Sequence, residues 1–467
     1  MEILRDSEAG CRGLMSAVTP LVQYIMDITR QMRASGAAMP SLREVETELV
    51  ERVRAVGRAA LAEVVVAYAP PSELVDVGGR VFKRMSEPSL GRYVSLWGTV
   101  EVPRHLYREH GVHNGPTVVP LELRAGMVFG GWTPMAAEAV AHLHQALPAR
   151  EAAETCERLK VLGASRSTLL RVGEQLGRHW HARRDDAEQQ LVREMDVDER
   201  ARALSVSVDR VTVPMAEPST DKGRKIDVVY RQAFCAVLTL HDAKGEALNS
   251  IRYGQMPSFG RDAIERAVAR DIEVLLSRRP KLDLVGIADG APEMQAFLDR
   301  AFGGRRPVAV LVDYWHLIEK LSAAITATKR VPAKLLPKWR TKLLVRDDAI
   351  EDIDRTLRKW MRAYHEDDVP DALYEAFTYL DNNADRMRYA NVRKSGLPIG
   401  SGHVEATCKT IVAVRMKRAG ARWKPDGAQA CLQLRALACS GKERWSHAMN
   451  LIAGTFKQPV LPVRCAA

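Results

Sequence analysis

Three acidic residues stand where a chain could build a site for divalent metal ions. Asp209 and Asp289 are each predicted to end a β-strand, and Glu405 opens a basic helix directly after the Gly-Ser-Gly sequence at 400–402. Mg²⁺ takes oxygen ligands from several elements of a fold, and phosphate oxygens complete its coordination shell. Because the chain carries a net charge of +11, carboxylates in this setting indicate metal-dependent chemistry on a nucleic-acid phosphate.

A second pair of polar residues, Asp313 and His316, follows the last predicted strand. One interpretation is a strand-end aspartate beside a buried histidine with a structural role. The other places both in the wall of the site, where His316 contacts the scissile phosphate or orders a carboxylate. The spacing alone leaves both open.

Basic side chains follow Glu405 along the same predicted helix. Lys409 falls one turn after Glu405 and on the same face, which suits either a surface ion pair or a metal ligand beside a phosphate contact. Trp423 either fills the core, which we favour, or stacks on a displaced base. The predicted DNA contacts in this segment are Lys409, Arg415, Lys417 and Arg418.

Composition narrows the class of protein that must position these residues. The 467 residues allow several domains, and the pI of about 9.3 favours a polyanionic partner. No apolar run approaches a membrane span, and the N-terminus shows no signal core. The seven cysteines are scattered without a C-x-x-C pair, which argues against a zinc ribbon or a disulfide framework and predicts a cytoplasmic protein.

The order of elements between Ala203 and Asp313 predicts the fold of the core. Alternating apolar residues give three consecutive strands, and then a helix, a strand, a helix and a final strand follow. This is the order of a ribonuclease-H-like α/β core with a mixed five-stranded sheet. In that fold the first and fourth strands are neighbours, so Asp209 and Asp289 would lie side by side.

Helical segments surround and interrupt this core. Residues 317–395 are predicted to be an all-helical insertion, in which the basic run Lys329–Arg346 either forms one face of a solvated hairpin or grips DNA. The predicted organisation is a mainly helical N-terminal region (1–90), a hairpin plus helical region (91–198), the core (199–316), the insertion (317–395), the Glu-bearing and C-terminal helices (396–445) and a tail (446–467).

Residues 151–177 suggest two helices joined by a turn at Gly163. Ser165 would cap the second helix, whose outward residues include Arg166 and Arg171. The pattern fits a helix–turn–helix that reads a DNA groove, and it fits an ordinary helical hairpin equally well.

Taken together, the motifs resemble those of a known family. The chain is similar to bacterial insertion-sequence transposases of the Kra group of DDE enzymes, which are themselves similar to Mutator-like elements. The resemblance covers roughly residues 90–445. It is carried by Val208-Asp209, Ile287-Ala-Asp289-Gly-Ala291, Asp313-x-x-His316, Gly400-Ser-Gly-x-x-Glu405-x-x-x-Lys409 and Arg415-Met-Lys-Arg-Ala-Gly420-Ala-Arg-Trp423.

The resemblance implies a catalytic triad of Asp209, Asp289 and Glu405 that binds two Mg²⁺ ions, with Mn²⁺ able to substitute, and an accessory role for His316. It further implies DNA cleavage at element ends, joining of the 3′-hydroxyl to target DNA, and terminal inverted repeats and target duplex as partners. We expect a bacterial, nucleoid-associated protein that works as a homodimer or higher oligomer.

The chain departs from the family at Arg210, where relatives usually have glycine, and it lacks the Cys-rich zinc motif of some relatives. Two other functions therefore stay open. One is a ribonuclease-H-like nuclease that only cuts, and the other is a domesticated DNA-binding regulator without catalysis. Strand alternation predicts that Arg210 leads away from the metals, toward an acidic partner or a phosphate.

Overall fold

The computed structural model describes residues 2–34, 40–220, 223, 225–328, 334–365 and 368–463, with side chains from residue 13 onward. Two compact units are formed, one by residues 1–176 with 449–467 and the other by residues 177–448. None of the described helices is both long enough and apolar enough to cross a membrane.

The first unit begins with two helices, α1 (Glu2–Arg33) and α2 (Leu42–Val66), which pack against each other. Ser41 caps α2 by accepting a hydrogen bond from the N–H of Glu44, and the Glu44 side chain accepts one from the Ser41 N–H in return. This reciprocal arrangement satisfies amides that the first helical turn leaves unpaired, so the helix starts at a defined residue.

An antiparallel sheet follows, made of β1 (Leu74–Val77), β2 (Arg80–Ser95), β3 (Gly98–Glu109) and β4 (Thr117–Val118), with a short strand at Leu461–Pro462 beside β1. The hairpin predicted around Gly98 is present, but its strands are longer. Strand structure already starts at Leu74, because Val75 and Val77 alternate into the core. The expectation of a mainly helical region therefore holds only up to Val66.

Four helices complete this part of the chain: α3 (Pro120–Ala125), α4 (Pro134–Ala146), α5 (Ala149–Arg158) and α6 (Arg166–Glu194). The α5 and α6 helices are the pair predicted between residues 151 and 177. Gly163 in their connection has a positive φ of 49°, a conformation that glycine adopts without strain.

The second unit is built on a five-stranded mixed sheet. Its strands are β5 (Ala203–Pro218), β6 (Ile226–His241), β7 (Ala247–Gln255), β8 (Asp283–Ala288) and β9 (Ala309–Val312), in the order β7-β6-β5-β8-β9. The first three pair antiparallel, whereas β8 runs parallel to both β5 and β9. This is the ribonuclease-H-like arrangement, and the predicted neighbourhood of the first and fourth strands is confirmed.

One expectation about the first core strand is wrong. Asp209 does not end β5, which continues to Pro218. The apolar alternation persists through Val213 and Met215, both buried, and β6 pairs with β5 along its whole length. What ends after Val208 is only the pairing with β8.

Different elements cover the two faces of this sheet. On one face, α7 (Arg261–Arg278) and α8 (Pro292–Phe302) pack against Val206 and Val208. On the other face, Val213 and Cys235 pack against helices from the C-terminal part of the unit. Burial on both faces explains why β5 and β6 are apolar for most of their length.

The segment between β9 and Glu405 is helical and has its own core. Its helices are α9 (Tyr314–Ala327), α10 (Leu335–Leu343), α11 (Ala349–Met361), α12 (Asp371–Asn383) and α13 (Tyr389–Lys394). Trp339, Ile353 and Leu380 are buried together among them. Part of the basic run Lys329–Arg346, residues 329–333, lies outside the described residues.

The helix that carries Glu405 is not one regular helix. It consists of α14 (Gly402–Thr407), a π-helical segment (Cys408–Ala413) and α15 (Val414–Met416), and it is followed by α16 (Pro425–Cys439) and α17 (Lys442–Phe456). The helix ends at Met416, before Gly420, which was the expected stop.

Candidate functional site

Two aspartates lie close together at neighbouring parallel strands. Val208 pairs with Ala288; Asp209 is the next residue of β5, and Asp289 directly follows the end of β8. Val208 and Ala288 both contribute to the core on the α7 and α8 side. Because successive side chains alternate across a strand, Asp209 is set toward the opposite face, where the charge of Asp289 acts on it.

The charges of the two aspartates influence each other. Burial, together with the negative charge of Asp289, raises the pKa of Asp209, whereas a hydrogen bond from the Arg210 N–H opposes the shift. Two carboxylates that lie close together resist simultaneous ionisation unless a cation joins them. The pair therefore has the electrostatics of an acceptor for a divalent cation.

Each carboxylate is also held by hydrogen bonds. Asp209 Oδ1 accepts from the Arg210 N–H at 2.7 Å, and Asp209 Oδ2 accepts from Cys408 Sγ at 3.5 Å. Asp289 Oδ1 accepts from the Ala291 N–H at 3.0 Å. These hydrogen bonds fix the two carboxylates. The bonds from backbone N–H groups are shorter than the bond from the Cys408 thiol.

Cys408 was not among the residues selected from the sequence. It lies three residues after Glu405, and it is buried against Cys235, the cross-strand partner of Asp209. Its neighbour Cys235 and burial both raise the pKa of the Cys408 thiol, which therefore stays protonated as a donor to Asp209. Only its position i+3 from Glu405 could have drawn attention to it.

Glu405 is the third residue of the predicted triad. Its side chain is exposed in the first turn of α14, and within the described part of the chain no three His, Cys, Asp or Glu side chains are grouped so that they could hold a metal ion. The helix bearing Glu405 does reach Asp209, through Cys408. The complete triad therefore stays a prediction.

Asp313 links the end of β9 to the start of the Glu405 helix. It is 1% exposed and caps α9 by accepting from the N–H groups of Trp315 and His316, while its Oδ2 accepts from the Ser401 N–H. Burial would raise the pKa of Asp313, but the hydrogen bonds from His316 and Ser401 prevail and lower it to about 2. Asp313 is thus an anion that joins two elements of the site.

His316 lies beside that anion. Its Nδ1 is 3.4 Å from Asp313 Oδ1, an ion-pair distance. Asp313 raises the pKa of His316 to about 9, with Asp209 adding to the effect and burial opposing it. The side chain is therefore an imidazolium at neutral pH, and it lines a cleft of about 860 Å³ together with Asp289.

Arg210 turns away from the carboxylates. It forms an ion pair with Glu293, in the first turn of α8. This agrees with the expected alternation, since α8 covers the sheet face opposite to the one that Asp209 faces. The guanidinium is accordingly engaged outside the space between Asp209 and Asp289.

Among the predicted DNA contacts after Glu405, three are exposed and one is not. Lys409, Lys417 and Arg418 are exposed. Arg415 is only 6% exposed, and its guanidinium lies over the ring of Trp423, 4.7 Å from the centroid. The prediction for Arg415 is therefore corrected, because a buried side chain stacked on an aromatic ring packs the core rather than contacting a phosphate.

Trp423 itself follows the interpretation that we favoured. Its Nε1 donates to the carbonyl of Met416 at 3.1 Å, and its ring packs against the cluster around Val213. The backbone at Trp423 also bridges to Met215 at the far end of β5. The half-buried ring thus packs against the core.

The second helix of the pair predicted at residues 151–177 has an exposed basic face. Arg166 and Arg171 are exposed on α6, whereas Leu169 and Val172 are buried on its other side. Ser165 Oγ accepts from the Thr168 N–H at 3.3 Å, which is the expected cap. Whether this helix reads DNA stays a prediction.

Comparison with known proteins gives distant structural neighbours. Neither a family model nor a curated protein matches the chain. Among solved structures, the Drosophila P element transposase strand transfer complex is 13% identical over 70% of this chain and 81% of that chain, with a TM-score of 0.27. The Mos1 transposase paired-end complex with the left transposon end is 14% identical over 56% of this chain and 79% of that chain, with a TM-score of 0.16.

Proposed function

We propose that the chain is a DDE transposase that cleaves DNA at the ends of a mobile element and joins the freed 3′-hydroxyl to target DNA. The observation that supports this most is the placement of Asp209 on β5 and of Asp289 directly after the adjacent parallel strand β8, where the charge of Asp289 acts on Asp209. The resemblance to bacterial insertion-sequence transposases of the Kra group points to the same activity.

The residues fit a Mg²⁺ cofactor, with Mn²⁺ as a substitute. Asp209 and Asp289 offer neighbouring carboxylates whose mutual repulsion a divalent cation would relieve, and we assign Glu405 as the third ligand. The bound cations would activate the attacking hydroxyl and stabilise the leaving oxygen. Hydrogen bonds from the Arg210 N–H and from the Cys408 thiol would hold the Asp209 carboxylate in place.

His316 has a separate role in this proposal. As an imidazolium fixed by Asp313 and facing the cleft beside Asp289, it would donate a hydrogen bond to a non-bridging oxygen of the scissile phosphate. A charged donor at that place favours the additional negative charge of the transition state.

The partner in this proposal is double-stranded DNA. Exposed Lys409, Lys417 and Arg418 follow Glu405 along the chain, and Arg166 and Arg171 are exposed on α6. Phosphate contacts would hold the duplex, whereas the α6 residues would select the end sequence. In line with the resemblance, we further propose a homodimer or higher oligomer on the nucleoid of a bacterial cytoplasm.

A second candidate function is a DNA-binding regulator without catalysis. The exposed position of Glu405, which belongs to no group of three potential metal ligands among the described residues, is the observation that favours it. Arg210 no longer does, because its guanidinium is paired with Glu293 rather than placed between the carboxylates.

A strand-transfer assay with the element's own DNA ends in Mg²⁺ separates the two. We expect the wild type to nick and join DNA, and Asp289→Asn and Glu405→Gln to lose at least two orders of magnitude in rate because a metal ligand is removed. Asp283→Asn is the matched control, since this exposed aspartate lies at the other end of β8. Full activity of Asp289→Asn would reject the proposed site.

The same assay tests Arg210. Because its guanidinium contacts Glu293, we expect Arg210→Gly to join DNA as well as the wild type does. An inert wild type that becomes active in Arg210→Gly would instead assign the chain to the regulator class.

A further inference from the structure

We propose that Tyr379, on helix α12 of the helical insertion, is a positioning residue for Asp289. It would hold the main chain at Asp289, and through it the direction of the carboxylate. This inference rests on the proposed function, which makes Asp289 a metal ligand. It gives the insertion a role in building the site, besides any role in DNA contact.

The direct contact is a hydrogen bond between the two segments. Tyr379 Oη donates to the carbonyl oxygen of Asp289 at 2.8 Å. The ladder between β8 and β9 ends at Ala288, so the peptide of Asp289 lies just beyond the regular sheet. A hydroxyl from α12 thus holds the peptide on which the carboxylate depends.

The tyrosine is suited to act as a permanent donor. The ordinary pKa of a tyrosine hydroxyl is about 10, so the phenol is a hydrogen-bond donor at neutral pH. A hydroxyl is also the only difference between tyrosine and phenylalanine, so one substitution isolates the bond.

The turn after Asp289 is shaped to receive α12. Gly290 has a φ of +83°, and a Cβ atom there would lie 3.2 Å from Asn383 Oδ1 and 3.2 Å from Tyr379 Cε2. Glycine is thus required both by the backbone conformation and by the close approach of the helix. The family motif contained Gly290, but only the structure shows what it accommodates.

A second set of contacts fixes α12 in this place. Asn383 is 3% exposed, and its Nδ2 donates to the carbonyl of Tyr379 at 2.8 Å. Arg386, which follows α12, donates to Gln295 on α8 at 2.6 Å and also to Asn383. Arg386 therefore connects the C-terminal end of α12 to α8, the helix that follows the turn after Asp289.

Asp289 and Tyr379 line the same cleft of about 860 Å³. Asp289 is thereby held through its main chain and still borders open space. A metal ligand requires both features, because the groups that orient a carboxylate affect its affinity for the metal ion as well as the carboxylate itself does.

The test compares Tyr379→Phe with Tyr374→Phe in the full-length chain. Tyr374 is on the same helix and is 58% exposed, so it controls for the loss of a hydroxyl from α12. Mn²⁺ affinity is measured by electron paramagnetic resonance, and amide exchange at residues 289–291 is measured without metal or DNA. We expect Tyr379→Phe to weaken Mn²⁺ binding roughly tenfold and to speed exchange at Ala291, whose N–H bonds to Asp289.

Tyr374→Phe should match the wild type in both measurements, and DNA affinity should be equal in all three proteins. Unchanged Mn²⁺ affinity and exchange in Tyr379→Phe would overturn the inference. Faster exchange throughout α12 and the sheet would overturn it too, because Tyr379 would then only support packing. A wild type that fails to join DNA would reject the proposed function, while the exchange at residues 289–291 would still decide whether Tyr379 holds Asp289.

Discussion

At the scale of single residues, the pair Asp313 and His316 predicts how stability depends on pH. Folding lowers the pKa of Asp313 from 3.8 to about 2, so its contribution is complete above about pH 4 and is lost as the pH falls toward 2. Folding raises the pKa of His316 from 6.5 to about 9, so its contribution is complete below pH 6.5 and is lost as the pH rises through 9. The pair therefore stabilises the protein most between about pH 4 and 6.5.

Asp313→Asn keeps a capping oxygen but removes the charge. We expect it to lower the free energy of unfolding at pH 5 by roughly 2 kcal/mol, which corresponds to the pKa shift of this buried aspartate. Urea unfolding of both proteins at pH 2.5, 5 and 9.5 measures the difference. A difference that stays equal at all three pH values would show that the charge of Asp313 contributes nothing.

At the scale of elements, the packing of α16 on β7 depends on a glycine. A Cβ atom at Gly254 would lie 2.6 Å from Leu432 Cγ, and Leu432 is fully buried. Gly254→Ala should therefore destabilise the second unit by about 1–3 kcal/mol, because a well-packed core must shift to admit the methyl group. Thermal unfolding of the two proteins measures this change.

Gly454→Ala serves as the control for that substitution. Gly454 lies within α17, where a Cβ atom meets nothing within 4 Å. Alanine favours a helix interior over glycine by up to about 1 kcal/mol, so this variant should be neutral or slightly stabilised. Equal destabilisation of both variants would contradict the close approach of α16 to β7.

Local patterns in the sequence were sufficient for the order of strands, and the fold that this order indicates implied the neighbourhood of Asp209 and Asp289. The bounds of α8, Pro292–Phe302, follow from the proline at its first position and from Gly303, which follows it. What the sequence did not disclose arises between elements distant along the chain. Cys408 contacts Asp209, and Tyr379 contacts Asp289. Both contacts depend on how distant segments pack, which the periodicity of a single segment does not predict.

At the scale of the whole molecule, the net charge of +11 predicts a strong dependence of DNA binding on salt. If six or more phosphates are contacted, affinity for end DNA should fall by roughly 10³-fold or more between 50 and 200 mM salt, because condensed counterions are released. Fluorescence anisotropy across this range measures the slope. A flat response would reject extensive contact with the backbone.

One lysine variant and one arginine variant test whether exposed side chains cause the dependence of DNA affinity on salt. Lys417→Ala should reduce the slope of log affinity against log salt by about one unit, since Lys417 is exposed, whereas Arg415→Met should leave the slope unchanged because Arg415 is stacked inside the core.

Changing Arg166 and Arg171 to alanine should instead reduce discrimination between end DNA and unrelated duplex. Retained discrimination would make α5 and α6 an ordinary hairpin.

The π-helical segment after Glu405 has a geometric consequence. A π turn contains one residue more than an α turn, and each residue of a helix turns the chain by about 100°. If Cys408–Ala413 rewound into a regular α-helix, α14 would rotate by that angle relative to α15. The π-helical segment therefore sets the direction of the Glu405 side chain relative to α15. A local rewinding of that segment would turn Glu405 by about 100° and would break the contacts that hold Ser401 and Val404.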